Sequence, residues 1–420
     1  MIIKEAYDII DRCPYYFTED EIEFDISELI QVPNSDNRIT LAMFWIIKWN
    51  SLPPPSILHP PEVQDNYGWT CAMWWVNKYK TSPPIELFHL PYLETKDNNT
   101  FAMLWIENCK SLPPKEWLYG ADYEVNGVTL AMCWIKYCKS LPPPSLLHSP
   151  DVQDNNGKTC AMYWIEYCKS LPSSSLLHSP YIQDNYGKTC AMHWIRNCRT
   201  NVPKELLHKP ELKNKFYETC ESLWILHCKG NPPKEIIHDP LLRIYNDLTC
   251  AMLWIRNRKS IPPKELLHEP LLQSHYGGTT CAMYWIEYCK SLPPQELLHS
   301  PEIQNNDGNT CAMYWIMCCS TAVPKELLHT PNIQNNYGYT CAMIWLRYCV
   351  DPLPTELYHD PTIKNDYGET LAMKWISKLH TIPPSSLLHD PSIKNNNGHT
   401  CASYWNICVK TPVPECLLVH

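Results

Sequence analysis

From Leu41 onward, apolar residues crowd into two short clusters in every thirty positions or so. The first reads Cys-Ala-Met-x-Trp-Ile, as at Cys160–Ile165, and the second is a Leu-Leu pair, as at Leu176 and Leu177. Ahead of the first cluster stands a turn such as "DNNG" (Asp154–Gly157), in which Asn and Asp tolerate left-handed backbone and Gly supplies positive φ. Thr then precedes the first apolar residue of every unit, as a helix N-cap does. The pattern predicts a helix A of about ten residues. It usually ends at a Lys (Lys80, Lys110, Lys139, Lys169), a cation suited to the negative end of the helix dipole.

A Leu-Pro-Pro break follows. Its second proline recurs in twelve of the thirteen units, Ser173 being the exception. Proline is favourable at a first helical position because its missing N–H had no intrahelical partner. "PKELLH" is therefore expected to be a helix B, stopped by the next proline (Pro210, Pro240, Pro301).

The invariant Trp sets the period. It falls at Trp45, Trp75, Trp105, Trp134, Trp164, Trp194, Trp224, Trp254, Trp285, Trp315, Trp345, Trp375 and Trp405, at a spacing of 30 except for one 29 and one 31. Such a period marks a stack of small supersecondary units. Two helices this short are unstable alone and must bury Trp, Ile, Met and Leu-Leu against neighbouring units. The expected fold class is all-α, a repeat solenoid of about thirteen stacked helical hairpins. Residues 34–420 form the array. Residues 1–33 lack the Trp unit and are expected to be an N-terminal helical cap. Within them "SELIQVP" (Ser27–Pro33) has the shape of a helix B, and Glu19–Glu28, with six acids, suits a solvated outer face. The last unit stops at "PECLLVH" with no polar cap after it.

Composition narrows the function. Net charge is -9 and the pI is near 6.0, which argues against bulk nucleic acid or an anionic membrane as partner. No run approaches membrane-spanning length, and the first residues carry Lys4, Glu5 and Asp8 where a signal peptide would be apolar. The 22 Cys would suggest disulfides in a short secreted chain. In this long chain they suggest reduced thiols and a cytoplasmic, or cytoskeleton-associated, protein.

The cysteines fall into two columns. One follows the Thr (Cys71, Cys160, Cys190, Cys220, Cys250, Cys281, Cys311, Cys341, Cys401). The other ends helix A (Cys109, Cys138, Cys168, Cys198, Cys228, Cys289, Cys319, Cys349). Eight residues within one helix are about 12 Å of rise, and neighbouring units are about 8–10 Å apart. Both exceed the roughly 7 Å that a disulfide spans. No C-x-x-C pair exists, so the expected role is that of a small buried hydrophobe. A second ladder is made by histidines at the end of helix B, from His59 and His89 to His389. Spread along the array, they do not converge as metal ligands must. Their expected role is structural, on helix carbonyls and the next unit. Neither metal nor cofactor is expected. Features that repeat many times are poor catalytic candidates, because catalysis needs one asymmetric constellation.

The unit "NNDGNTCAMYWI…PKELLH" resembles an ankyrin repeat. Gly308, Thr310, Leu327 and Leu328 stand at the offsets of that family's D-x-x-G-x-T and Leu-Leu, and the resemblance covers about residues 34–420. The sequence departs from the family where T-P-L-H becomes Thr310–Met313, where the small Ala-Ala pair becomes Trp315–Ile316, and in a loop about three residues shorter. The resemblance implies that the variable positions of helix A line an exposed inner face. These are the residue before the Trp and those two and three after it. Expected partner-binding residues are Trp74, Tyr163, Tyr167, His193, Arg196, Arg256, Tyr284, Tyr288, Tyr314, Arg347 and Tyr348, joined by the turn tips Tyr67, Tyr186, Tyr337 and Tyr367. The expected function is a non-enzymatic scaffold binding a protein partner through this face. The alternative is an architectural rod that self-associates end to end, lines a larger complex or binds a cytoskeletal lattice.

Overall fold

A computed structural model describes residues 3–12, 25, 27–31, 38–49, 51–118, 124–125 and 127–418. The chain forms two compact units, Met1–His208 and Lys209–His420. The first holds α1 (Ile3–Arg12), α2 (Leu41–Lys48), α3 (Cys71–Tyr79), α4 (Phe101–Cys109), α5 (Leu130–Cys138), α6 (Cys160–Cys168) and α7 (Cys190–Asn197). Each packs on the next. The second holds α8 (Cys220–His227), α9 (Cys250–Arg258), α10 (Cys281–Cys289), α11 (Cys311–Cys319), α12 (Cys341–Tyr348), α13 (Leu371–Leu379) and α14 (Cys401–Cys408), again packed in chain order. The fold is a helical repeat solenoid. Two antiparallel two-residue ladders accompany it: β1 (Ile30–Gln31) with β2 (Arg38–Ile39), and β3 (Glu124–Val125) with β4 (Val128–Thr129). Among the described residues no helix is long and apolar enough to cross a membrane.

Each repeat helix starts where its Thr predicts. Thr159 is extended and its hydroxyl accepts the Met162 N–H, which satisfies one of the four orphan donors of a helix start. The helices run eight or nine residues, and many end on a Lys in left-handed conformation, such as Lys169 at φ 52. The Cys, Ala, Met and Ile of the first apolar cluster, as at Cys160, Ala161, Met162 and Ile165, are buried. The Trp is anchored by its own N–H: Trp164 Nε1 donates to Ser170 Oγ at 2.9 Å, six residues on.

The second helical element is shorter than the sequence suggests. It is a single 3₁₀ turn, as at Pro144–Leu146 and Lys264–Leu266. Where Ser173 replaces the proline, residues 174–176 form only a turn. The prolines explain this. Pro143 is held at φ -55 and ψ 152, and the proline after His-x pushes the chain back to extended backbone. Too few residues lie between them to nucleate an α-helix, so one i→i+3 turn delivers the buried Leu146 and returns. In the N-terminal segment, Ile30–Gln31 is a strand and not the start of a helix B. The acidic run Glu19–Glu28 lies mostly outside the described residues.

The turns stack on one another. In the first unit, Asp154 Oδ1 accepts the N–H groups of Asn156 and Lys158. The Asn185 N–H then donates to Asn156 O at 2.8 Å, one repeat on. Gln153 Nε2 reaches Gln183 O at 2.9 Å. These bonds tie repeat to repeat outside the apolar core.

Candidate functional site

A groove recurs in both units at the same register of the repeat, between the turn and the α-helix. In the second unit one stretch of it encloses about 340 Å³ among Tyr337, Tyr339, Tyr367, Ile344, Arg347 and Tyr348. Another, of about 280 Å³, carries Arg347, Lys374 and Lys378. A third, of about 270 Å³, lies among Phe216, Tyr245, Leu226, Leu253, Arg256 and Asn257. In the first unit a smaller one, of about 140 Å³, lies among Asn98, Glu107, Cys133, Lys136, Tyr137 and Tyr163. In all four the helix contributes residues two or three after the Trp. In all four the residue before it lines the groove as well.

The eleven expected residues divide by exposure. Arg196, Arg256, Arg347 and Tyr348 are exposed, and the last three line the groove. Tyr167 and Tyr288 are half-buried, stacked on Tyr163 at 5.9 Å and on Tyr284 at 6.0 Å. Tyr163, which also lines the groove, and Trp74, Tyr284 and Tyr314 are half-buried, and His193 is buried. Four of these five tie the helix to its own turn nine residues earlier. Trp74 Nε1 donates to Asp65 Oδ2 at 3.0 Å, and Tyr163 donates to Asp154 Oδ2 at 2.9 Å. His193 meets Asp184 at 3.0 Å, and Asn305 Nδ2 donates to Tyr314 at 3.1 Å. Burial and the Asp154 carboxylate push the Tyr163 phenol far up. The turn tips Tyr337 and Tyr367 are 58% and 63% exposed.

A polar ladder of buried and half-buried histidines runs along the repeats. The His Nδ1 of each rung faces the carbonyl of the following residue, as His178 does Ser179 O at 2.7 Å. A carbonyl can only accept, so Nδ1 carries the proton and Nε2 is the bare nitrogen. It faces Thr159 Oγ1 in its own repeat at 2.7 Å and Cys190 Sγ in the next at 3.5 Å. His89 and His359 face Phe101 and Leu371 where the others face Cys, and their Nε2 atoms have no hydrogen-bond partner. None of the described cysteines is in a disulfide. Burial pushes the thiols of the first column up to about 12, for example at Cys160, Cys281 and Cys311.

One constellation escaped the sequence reading. Glu221 stands where the other twelve repeats have Ala, and it is 1% exposed. Its Oε2 lies 3.1 Å from His238 Nε2. Cys250 Sγ lies 3.6 Å from the same nitrogen. Burial pushes the Glu221 carboxyl up to about 7 and the His238 imidazole down. The signal in the sequence was a single Glu in a column of Ala.

No family model and no curated protein matches the chain. Among solved structures it is similar to two ankyrin repeat proteins. One is the crystal structure of EF0377, an ankyrin repeat protein, at 17% identity and TM-score 0.26, covering 40% of this chain and 96% of that one. The other is the ankyrin repeat domain of Bcl-3, described as a unique member of the IkappaB protein family. It is 15% identical with TM-score 0.25, and covers 46% of this chain and 80% of that one. The class assigned to this chain, a helical repeat array, rests on its own period and helix packing.

Proposed function

We propose that this chain is a non-enzymatic scaffold that grips a protein partner along the groove between turn tips and helix face. The observation that carries the reading is the recurrence of the groove at one register in both units, and, in the second unit, its rim of exposed aromatics and its lining of arginine. Aromatic side chains offer large contact area at low entropic cost, and arginine adds a planar fork for carboxylates. A fitting partner is a segment with apolar side chains for the tyrosines around Arg347, and a carboxylate within reach of Arg347 and Lys378. The two cysteine columns, spaced more widely than a disulfide spans, support a reducing compartment such as the cytoplasm. We propose further that residues 1–33 close the N-terminal end of the array, since Ala6 and Ile10 are buried and Tyr7 stacks on Phe44 at 4.3 Å.

Co-purification from the native cell with the full chain tests the groove. Changing Tyr337, Arg347, Tyr348 and Tyr367 to Ala together should abolish capture of the proteins that the unmodified chain retains, with little change in melting temperature. Capture that survives in the folded variant removes this face from consideration.

A further inference from the structure

Carboxylates are rare in helix cores, and a lone one must be neutralised or paired. Among the described residues, the nitrogen that faces the Glu221 carboxylate from a side chain is His238 Nε2, at 3.1 Å. That histidine has its Nδ1 proton committed to Asp239 O at 2.8 Å, so a lone pair on Nε2 confronts the carboxylate. At the rungs of His178 and His299, by contrast, Nε2 meets a Thr hydroxyl and a Cys thiol, each with a proton to give. Here Thr219 Oγ1 at 3.1 Å and Cys250 Sγ at 3.6 Å remain in place, and an anion joins them. The cluster lacks a positive centre.

The donor atoms are spaced for one. Zinc bonds of roughly 2.0 Å to O, 2.05 Å to N and 2.3 Å to S at tetrahedral angles put N and O about 3.3 Å apart and N and S about 3.6 Å apart. The observed separations are 3.1 Å and 3.6 Å, and all three donor atoms lie within 4.8 Å of one another. An oxygen, an imidazole nitrogen and a thiolate are a donor set that zinc accepts. The outer contacts fit as well. Asp239 O fixes the imidazole tautomer, and the His238 backbone N–H donates to Glu221 Oε2 at 3.0 Å, the kind of support that orients metal ligands.

We propose that Glu221, His238 and Cys250 form a buried zinc site that bolts the α8 repeat to the α9 repeat. Zinc binding takes the Nε2 lone pair of neutral His238. It releases the thiol proton of Cys250, and the carboxyl proton of Glu221 where one is held, to solvent. No atom changes oxidation state. The three ligands leave a fourth corner for water.

The test uses the full chain refolded with Zn²⁺ and, in parallel, with Co²⁺, then desalted. Metal content is compared with that of Glu221→Ala, which carries the residue of the other twelve repeats and so keeps the fold, and of Glu221→Gln, which keeps the side-chain size. Metal bound by other thiols and histidines is common to all three and cancels. The expected result is one more metal ion per chain in the unmodified protein. It should come with a thiolate-to-cobalt charge-transfer band that Cys250→Ser removes, and with a melting temperature that rises in zinc only when Glu221 is present. Equal metal content in the unmodified protein and Glu221→Ala overturns the proposal. So does an unmodified protein that binds no metal, which would leave a proton shared between Glu221 and His238.

Discussion

Thr159 Oγ1 lies 2.7 Å from His178 Nε2, across nineteen residues of chain. The same hydroxyl accepts the Met162 N–H, so one side chain caps the helix and pins the far end of its own repeat. The pair recurs at Thr129 and His148 (2.7 Å), Thr280 and His299 (2.8 Å) and Thr370 and His389 (2.7 Å). Thr159→Val should remove the cap, at about 1 kcal/mol, and leave Nε2 without its hydroxyl, at about 1–3 kcal/mol. Thr159→Ser should stay near the unmodified stability. Denaturant titration of the two variants decides this, and equal midpoints would dissolve the link between Thr and His.

The ladder also makes stability depend on pH in one direction. Burial holds His59, His89, His268, His299, His329 and His359 below the usual histidine value, His89 down to about 4. The folded protein thus favours the neutral ring, while the unfolded chain takes up a proton near pH 6.5. For a depressed histidine the contribution is complete above that pH and is lost as the pH falls below it, for His89 down to about 4. Melting temperature should be level above neutrality and fall steadily below about pH 6.5. His89→Phe should flatten part of that fall. A stability that rises on acidification through this window would mean that the folded protein binds the protons more tightly than the unfolded chain.

Much of this architecture was legible because its signals are local and repeated. Trp164 and its counterparts announce the period, and Thr159 and Gly157 mark the helix start and the turn before it. The second element was not legible. A Pro-Lys-Glu-Leu-Leu run suits one 3₁₀ turn as well as an α-helix, and the two flanking prolines decide between them only through backbone geometry. Tyr163 was visible as a variable letter, but its bond to Asp154 depends on the turn folding back onto the helix. Glu221 was visible as an intruder among alanines. Its meeting with His238 and Cys250 needs the packing of two repeats.

Close stacking of turns predicts unequal costs for the same substitution. Gly308 has φ +77, and a Cβ there would lie 2.6 Å from Asn336 N and 2.7 Å from Asn336 Oδ1. Gly398 has φ +82, but its Cβ would meet nothing within 4 Å. Gly398→Ala should cost about 1–2 kcal/mol, the strain of left-handed backbone alone. Gly308→Ala should cost more, because the neighbouring turn must also move and break its bond to the repeat before it. Thermal melts of the two variants separate strain from stacking, and equal losses would mean that the turns do not bear on each other.

The helix ends offer a gain. Lys169 and Lys259 both sit at φ 52, where a Cβ is disfavoured and glycine is not. Lys169→Gly should stabilise the fold by up to about 1 kcal/mol, read as a higher denaturant midpoint. A loss would show that the lysine cation on the last carbonyls outweighs backbone strain.

The thiols supply the last prediction, because their chemistry follows their column. Attack on an alkylating reagent requires the thiolate and access to it. Cys160, Cys281 and Cys311 are buried with thiols pushed up to about 12, so at neutral pH they fail on both counts. Cys289 and Cys319 are half-buried and raised less far, and Cys416 is exposed. Native labelling read by mass spectrometry should therefore modify Cys416 first, then the helix-end column, and the first column only as fast as repeats open. Thr159→Val should accelerate labelling at Cys190, the thiol on the rung that it loosens, and leave the distant Cys401 unchanged. If Cys160 reacts as fast as Cys416 in the folded protein, the first column is not the closed core described here, and the ladder that rests on it fails with it.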